Sequence, residues 1–316
     1  MDKNFTYFSQ ENTTFFLEDI KKKRLPIFTI TIYQHDKKLC EEAFDGHTTS
    51  ELNHMFSIAK TITALSILHM DATGIISVND TICSFFPEKV TTPYPQTMAM
   101  TIKDMLMMRT VHSKSAYRSD CLDDWCGHFF TTPPSHDSGT EFSYDTSGAH
   151  VLSALVEKKT GMPPIEYFKK HFSSVGFSKE SYSMEGPDGY HMGGTGLMAT
   201  AEDILKLGIF LLAAYRLDTD SFCKQYNICE KMHSHILTAS SFLTDSAPKA
   251  KDHFDSFGYG LMIWRTDNNG FMLYGLGGQF VCVYPEHELI LVTTADTQKH
   301  KGANDELFNS FYNSFF

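Results

Sequence analysis

A chain of 316 residues with 27 Lys and Arg against 38 Asp and Glu carries a formal charge of −11, which argues against a surface built to neutralise nucleic-acid phosphates. Its one dense basic run, Lys21-Lys22-Lys23-Arg24, reads as the solvated end of a helix. At 42% hydrophobic and 21% charged, the composition is that of a folded globule, long enough for one or two domains of roughly 150 residues each.

Residues 1–8 lack the basic and apolar regions of a secretory signal, and the apolar stretch 207–215 is too short for a bilayer core of about 30 Å. The sequence thus points to the cytoplasm and to no membrane partner. Seven cysteines at irregular spacing, in a chain large enough to need no staples, read as free thiols. Cys223, Cys229, His233 and His235 lack the paired spacing of a zinc site and read as a loop, so no metal and no cofactor are expected.

In chain order, residues 26–33 (PIFTITIY) are β-branched and aromatic, a polar turn occupies 35–38, and 39–44 run back, which predicts an antiparallel hairpin. Residues 57–70 (SIAKTITALSILHM) are apolar on nearly every side, the mark of a buried helix, and Gly74 ends it. Further helices are predicted at 102–108, 147–160, 164–172 and 201–214, the last capped by Thr200 with Asp203 three residues on. Strands follow at 259–266, 271–274, 279–284 and 289–294, with a turn at Asp267-Asn268-Asn269-Gly270 between the first two. The expected fold is α+β: one antiparallel sheet assembled from both chain ends and flanked by helices, with a mostly helical domain inserted. Residues 1–70 and 200–316 would form the sheet domain and 71–199 the helical one, with the active-site cleft between them.

Within this frame the most informative residues are Ser57-Ile58-Ala59-Lys60 at the start of the buried helix. Spacing i, i+3 puts both side chains on one face, and the helix N-terminus favours negative charge. A hydroxyl becomes a nucleophile when a base removes its proton, and a lysine stripped of water can be that base once about 4 kcal/mol has brought its pKa toward neutrality. Lys60 is the only Asp, Glu, Lys or Arg between Glu51 and Asp71, and such an isolated charge is costly unless used. The backbone N–H of Ser57 is a candidate oxyanion donor. Tyr144 stands at a loop-to-helix junction in Phe142-Ser143-Tyr144-Asp145-Thr146, and Gly275-Leu276-Gly277-Gly278 joins two strands where glycines admit close backbone approach to a ligand. Trp125, Tyr117, Phe129 and Phe130 would either line an apolar acyl pocket or form a satellite core.

Taken together, these segments resemble the serine β-lactamase and penicillin-binding-protein-like hydrolases, in the branch of class C β-lactamases, D-alanyl-D-alanine carboxypeptidases, family VIII esterases and nylon-oligomer hydrolases. The resemblance runs from about Pro26 to about Thr294, through 55–61 (MFSIAKT), 100–106, 138–144 (SGTEFSY), 193–203 (GGTGLMATAED), 258–264 and 275–279. It implies Ser57 as nucleophile, Lys60 as its base, Tyr144 as the hydroxyl that relays a proton to the leaving group, and an oxyanion hole from the N–H groups of Ser57 and Leu276. Thr146, Gly275, Gly277 and Gly278 would contact substrate.

Two departures bear on the substrate. The family's Tyr-x-Asn is Tyr144-Asp145-Thr146, and its Lys-Thr-Gly or His-x-Gly is Gly275-Leu276-Gly277. The second element binds a substrate carboxylate in the family's peptidases and β-lactamases, so its loss favours a neutral small ester or amide. The alternatives are a β-lactamase or D-Ala-D-Ala-type peptidase, and a relative that binds ligand without turnover. Neither substrate identity nor oligomeric state is legible.

Overall fold

A computed structural model describes residues 8–116, 123–241 and 258–316. Helix α1 (Gln10–Lys23) opens on a capping box between Ser9 and Asn12 and ends at Arg24 in the left-handed region. The exposed basic run occupies its last turn, where the helix dipole favours cations. Strands β1 (Ile27–Gln34) and β2 (Lys37–Ala43) form the expected hairpin, followed by the short β3 (Asn53–His54). A 3₁₀ turn, Phe56–Ile58, leads into α2 (Ala59–Ala72), which is buried around nearly its whole circumference as its all-round apolar sequence predicts.

The middle of the chain is mostly helical. It contains α3 (Pro95–Ala99), α4 (Ile102–Leu106), α5 (Trp125–Thr131), α6 (Thr146–Thr160) and α7 (Pro164–His171). Strands β4 (Tyr182–Ser183) and β5 (Leu197–Ala199) join β3 in a small sheet ordered β3-β5-β4. Helices α8 (Ala201–Arg216), α9 (Thr219–Tyr226) and α10 (Glu230–Ser241) follow. Then come β6 (Tyr259–Gly260), β7 (Ile263–Arg265), β8 (Phe271–Gly275), β9 (Gln279–Tyr284), β10 (Leu289–Ala295) and α11 (Ala303–Phe315).

Seven strands form one antiparallel sheet ordered β2-β1-β10-β9-β8-β7-β6, so the N-terminal strand β1 and the C-terminal strand β10 pair inside it, as the second and third strands of the seven. Thr29 faces Thr294 there, their hydroxyls 2.7 Å apart. Every residue of β9 and β10 is buried, which requires cover on both faces. Alternation along β9 shows how this is met. Phe280 and Tyr284 meet Phe308 and Phe311 of α11, whereas Val281, on the other face, meets α8 at Gly208, where a Cβ would lie 2.9 Å from the Val281 side chain. The α+β architecture with a sheet drawn from both chain ends therefore holds.

Two local expectations change. Residues 259–266 are a tight hairpin rather than one strand, because Leu261 and Met262 turn with φ of +48° and +64°. That turn carries none of the usual Gly or Asn; it is held by Met262 N–H donating to the Leu106 carbonyl and Thr61 Oγ1 donating to the Met262 carbonyl. The Cys223 to His235 region is not a loop but α9 and α10, capped by Asp218 and joined through Asn227 in the left-handed region. His233 donates to the Ala214 carbonyl and His235 to Asp71. Phe129 and Phe130 are fully buried and belong to the core, whereas Tyr117 and Cys121 lie outside the described residues. The six described cysteines are free, and among the described residues no helix is long and apolar enough to cross a membrane.

Candidate active site

The site grows from the N-terminal end of α2. Ser57 sits half-buried in the 3₁₀ turn immediately before the helix, and Lys60 lies in the helix's first turn with only 1% of its surface exposed. The Lys60 Nζ lies 3.0 Å from Ser57 Oγ, 3.2 Å from Thr146 Oγ1 and 2.6 Å from the Gly194 carbonyl oxygen. Burial pulls its pKa down from 10.5 to about 7, partly opposed by the negative charge of Asp145. The serine and lysine singled out by spacing are thus adjacent in space, and the lysine has lost most of its preference for the charged form.

Tyr144 and Thr146 reach this point because α6 begins between them. Asp145 is the N-cap, fully buried, accepting from the Ser147 N–H at 2.8 Å, from the Ser147 hydroxyl, and from Thr110 Oγ1 at 3.3 Å. The Lys60 Nζ lies over the Tyr144 ring, 4.8 Å from its centroid. The Tyr144 ring also stacks on Trp264 of β7 and meets the edge of Tyr259 of β6. Tyr259 is buried, which raises its phenol well above the usual range, and the neighbouring Tyr144 adds to the rise.

The carbonyl at 194 is a site group that residue types alone did not single out. Four carbonyls of the segment before β5 each accept from a side chain: His191 from Ser153 (2.7 Å), Gly193 from Thr63 (2.9 Å), Gly194 from Lys60 and Thr195 from His54 (2.7 Å). Thr63 lies one turn beyond Lys60, so the same face of α2 holds two successive carbonyls. At Gly194 a Cβ would stand 2.7 Å from the Thr146 carbonyl oxygen, so only glycine lets this backbone pass between α2 and α6. The Gly193-Gly194 pair is the signal the sequence offered for it.

The fourth element is the turn between β8 and β9. Gly275, Gly277 and Gly278 are buried and Leu276 is 56% exposed at its tip. The turn packs on the serine's own turn: a Cβ at 275 would drive into the Met55 carbonyl oxygen, and one at 277 would lie 2.9 Å from the Phe56 ring. Phe56 has φ +46°, a left-handed conformation unusual for an aromatic residue, directly before Ser57. Met55 N–H donates to the Leu197 carbonyl at 2.8 Å, pinning the other side of that turn to β5. Ser57 and Lys60 at the start of α2, Tyr144 and Thr146 at the start of α6, and the 275–278 turn therefore converge from three separate parts of the chain.

The sheet and its flanking helices agree with the comparisons. The chain matches the family model described as Beta-lactamase over residues 14–309, and so belongs to the beta-lactamase family of serine hydrolases. Among solved structures it is similar to a protein assigned as a beta-lactamase from Bacteroides dorei DSM 17855, at 15% identity and TM-score 0.75, covering 98% of this chain and 99% of that one. A protein assigned as a 6-aminohexanoate-dimer hydrolase from Bacillus anthracis gives 16% identity and TM-score 0.73, covering 94% of this chain and 80% of that one. A penicillin binding protein from Bacillus halodurans gives 18% and 0.69, covering 95% and 99%. At these identities the likeness is one of fold. No curated protein matches.

Proposed function

We propose that this protein is a serine hydrolase that works through an acyl-enzyme on a small, uncharged ester or amide. The observation that carries this reading is the set of three partners around Lys60 Nζ. A neutral amine has two N–H donors and one lone pair. The Gly194 carbonyl can only accept, so it takes one N–H. Thr146 Oγ1 takes the second, which leaves the lone pair for the Ser57 hydroxyl proton. With its pKa near 7, much of Lys60 is neutral at physiological pH and able to act as general base.

In the proposed cycle, Ser57 Oγ attacks the substrate carbonyl carbon as its proton passes to Lys60. The oxyanion is received by the N–H groups of Ser57 and Leu276. The C–O or C–N bond then breaks, and the Tyr144 hydroxyl delivers a proton to the departing oxygen or nitrogen. Water then adds to the acyl carbon, passing one proton to the Tyr144 oxygen; the bond from the acyl carbon to Ser57 Oγ breaks as Lys60 returns its proton to Oγ, and the acid is released.

The preference for an uncharged substrate rests on the β8–β9 turn. Gly275-Leu276-Gly277 offers no side-chain cation or hydroxyl for a carboxylate, and the Met55 carbonyl leaves no room for a side chain at 275. What the turn presents to solvent is the isobutyl group of Leu276.

Intact-protein mass after exposure to a fluorophosphonate, on wild type and Ser57→Ala in parallel, tests the reading. A single adduct on wild type that is missing in the variant supports an activated Ser57, and p-nitrophenyl esters and anilides then define the acyl and leaving groups. A folded wild type that takes no adduct leaves ligand binding without turnover. Fast turnover of a coloured cephalosporin would assign a β-lactamase instead.

A further inference from the structure

A cavity of about 390 Å³ opens at the far end of the nucleophile helix. Leu68 of α2 forms part of its wall, eight residues and about 12 Å of helical rise beyond Lys60, so it is separate from the cleft around Ser57. The other apolar walls are Val78, Leu106, Met107 and Leu261. Its polar lining residues are Asn79, Lys103, His235 and Thr238.

These polar groups are not equivalent. His235 is already committed, its Nε2 donating to Asp71 at 2.8 Å beside Lys231, which lies 2.7 Å from the same carboxylate oxygen. Lys103 is exposed in α4 and makes no ion pair with any described residue. The Asn79 side chain, also exposed, makes no hydrogen bond among them. An aliphatic pocket of a size that takes small ligands, with a cation and an amide beside it that have no side-chain partner among the described residues, fits a molecule with a hydrocarbon tail and an anionic head.

We propose that this cavity is a second ligand site, and that it takes a medium-chain aliphatic carboxylate. The tail lies along Leu68, Val78, Leu106, Met107 and Leu261, and the carboxylate accepts from Lys103 with Asn79 at its flank. A chain carrying −11 overall repels anions at long range, so retention must come from the apolar walls and the local cation together. A short acid with the same head therefore does not suffice.

Calorimetric titration of the whole protein with decanoate, decanol and acetate tests this. Saturable binding of one decanoate, weaker binding of decanol and none of acetate are expected. Lys103→Ala should weaken decanoate by about threefold and leave decanol unchanged. Met107→Trp and Val78→Phe, both at half-buried wall positions, should abolish both while circular dichroism shows the fold intact; two fillings guard against one variant failing to fold. Decanoate binding should survive in Ser57→Ala and in protein capped by a fluorophosphonate. Absence of saturable decanoate binding overturns the proposal. So does binding that persists in both filled variants and vanishes when Ser57 is capped, since that ligand sits in the catalytic cleft. The readout is independent of turnover, so failure of the hydrolase reading leaves it interpretable.

Discussion

The indole of Trp264 lies against the ring of Tyr144, their centroids 5.4 Å apart and their planes 26° from parallel. Trp264 belongs to β7 and Tyr144 to the loop before α6, so this contact fixes a candidate proton relay on one element against a strand from another. If Tyr144 carries the proton, its angle matters more to the rate than to substrate binding. Trp264→Leu should lower kcat by about tenfold with KM little changed, and Trp264→Phe, which keeps a ring, should recover most of it. Equal losses in both variants would place Trp264 in the core only.

Lys60→Met keeps the length of the buried side chain and removes its nitrogen. Turnover should fall by about 10³-fold, within the range general bases contribute. Stability supplies a second readout. The unfolded chain holds the lysine proton up to a pH near 10.5 and the folded one only to about 7. Between those values the unfolded state binds more protons, so wild-type stability should rise with pH through that window. Tm against pH in Lys60→Met should lack that rise.

The pH profile of kcat/KM should climb through about 7 as Lys60 gives up its proton. Asp145 opposes that loss, since its charge favours the ammonium form. Asp145→Asn keeps a side-chain oxygen to cap α6 and removes the charge, so the acid limb should move to lower pH. An unmoved limb would show that another group sets it.

Gly275→Ala tests the contact between the β8–β9 turn and the serine's turn. Its new methyl meets the Met55 carbonyl, which is backbone and has no easy retreat. A loss of about 1–3 kcal/mol in urea unfolding is expected, with turnover falling because Ser57 lies two residues beyond Met55. Unchanged stability would mean that the two turns separate at little cost.

Much of this site was legible from sequence because it is local: Ser57 and Lys60 share one turn, and a lone lysine in an apolar helix is conspicuous. The sheet was legible from its β-branched runs and the Asn269-Gly270 turn. Other features depend on distant partners. The turn at Leu261-Met262 is held by Thr61 and Leu106 rather than by its own residues. The role of Gly194 resides in a backbone oxygen, which no residue type advertises. Helix α11 buries its aromatic face against β9, with α1 packed beside it, a tertiary match that periodicity in either helix alone does not reveal.

The pairing of β1 with β10 sets an order of events in the making of the protein. The turn that walls the site around Ser57 and Lys60 begins at Gly275, more than two hundred residues after them, and β1 remains an unpaired edge toward β10 until Leu289–Ala295 has been made. Closing such long loops is slow compared with forming a helix. A chain stopped short of β8 would carry Ser57 and Lys60 without the surface that shapes their cleft, so any chemistry there should be withheld until β8 to β10 are in place.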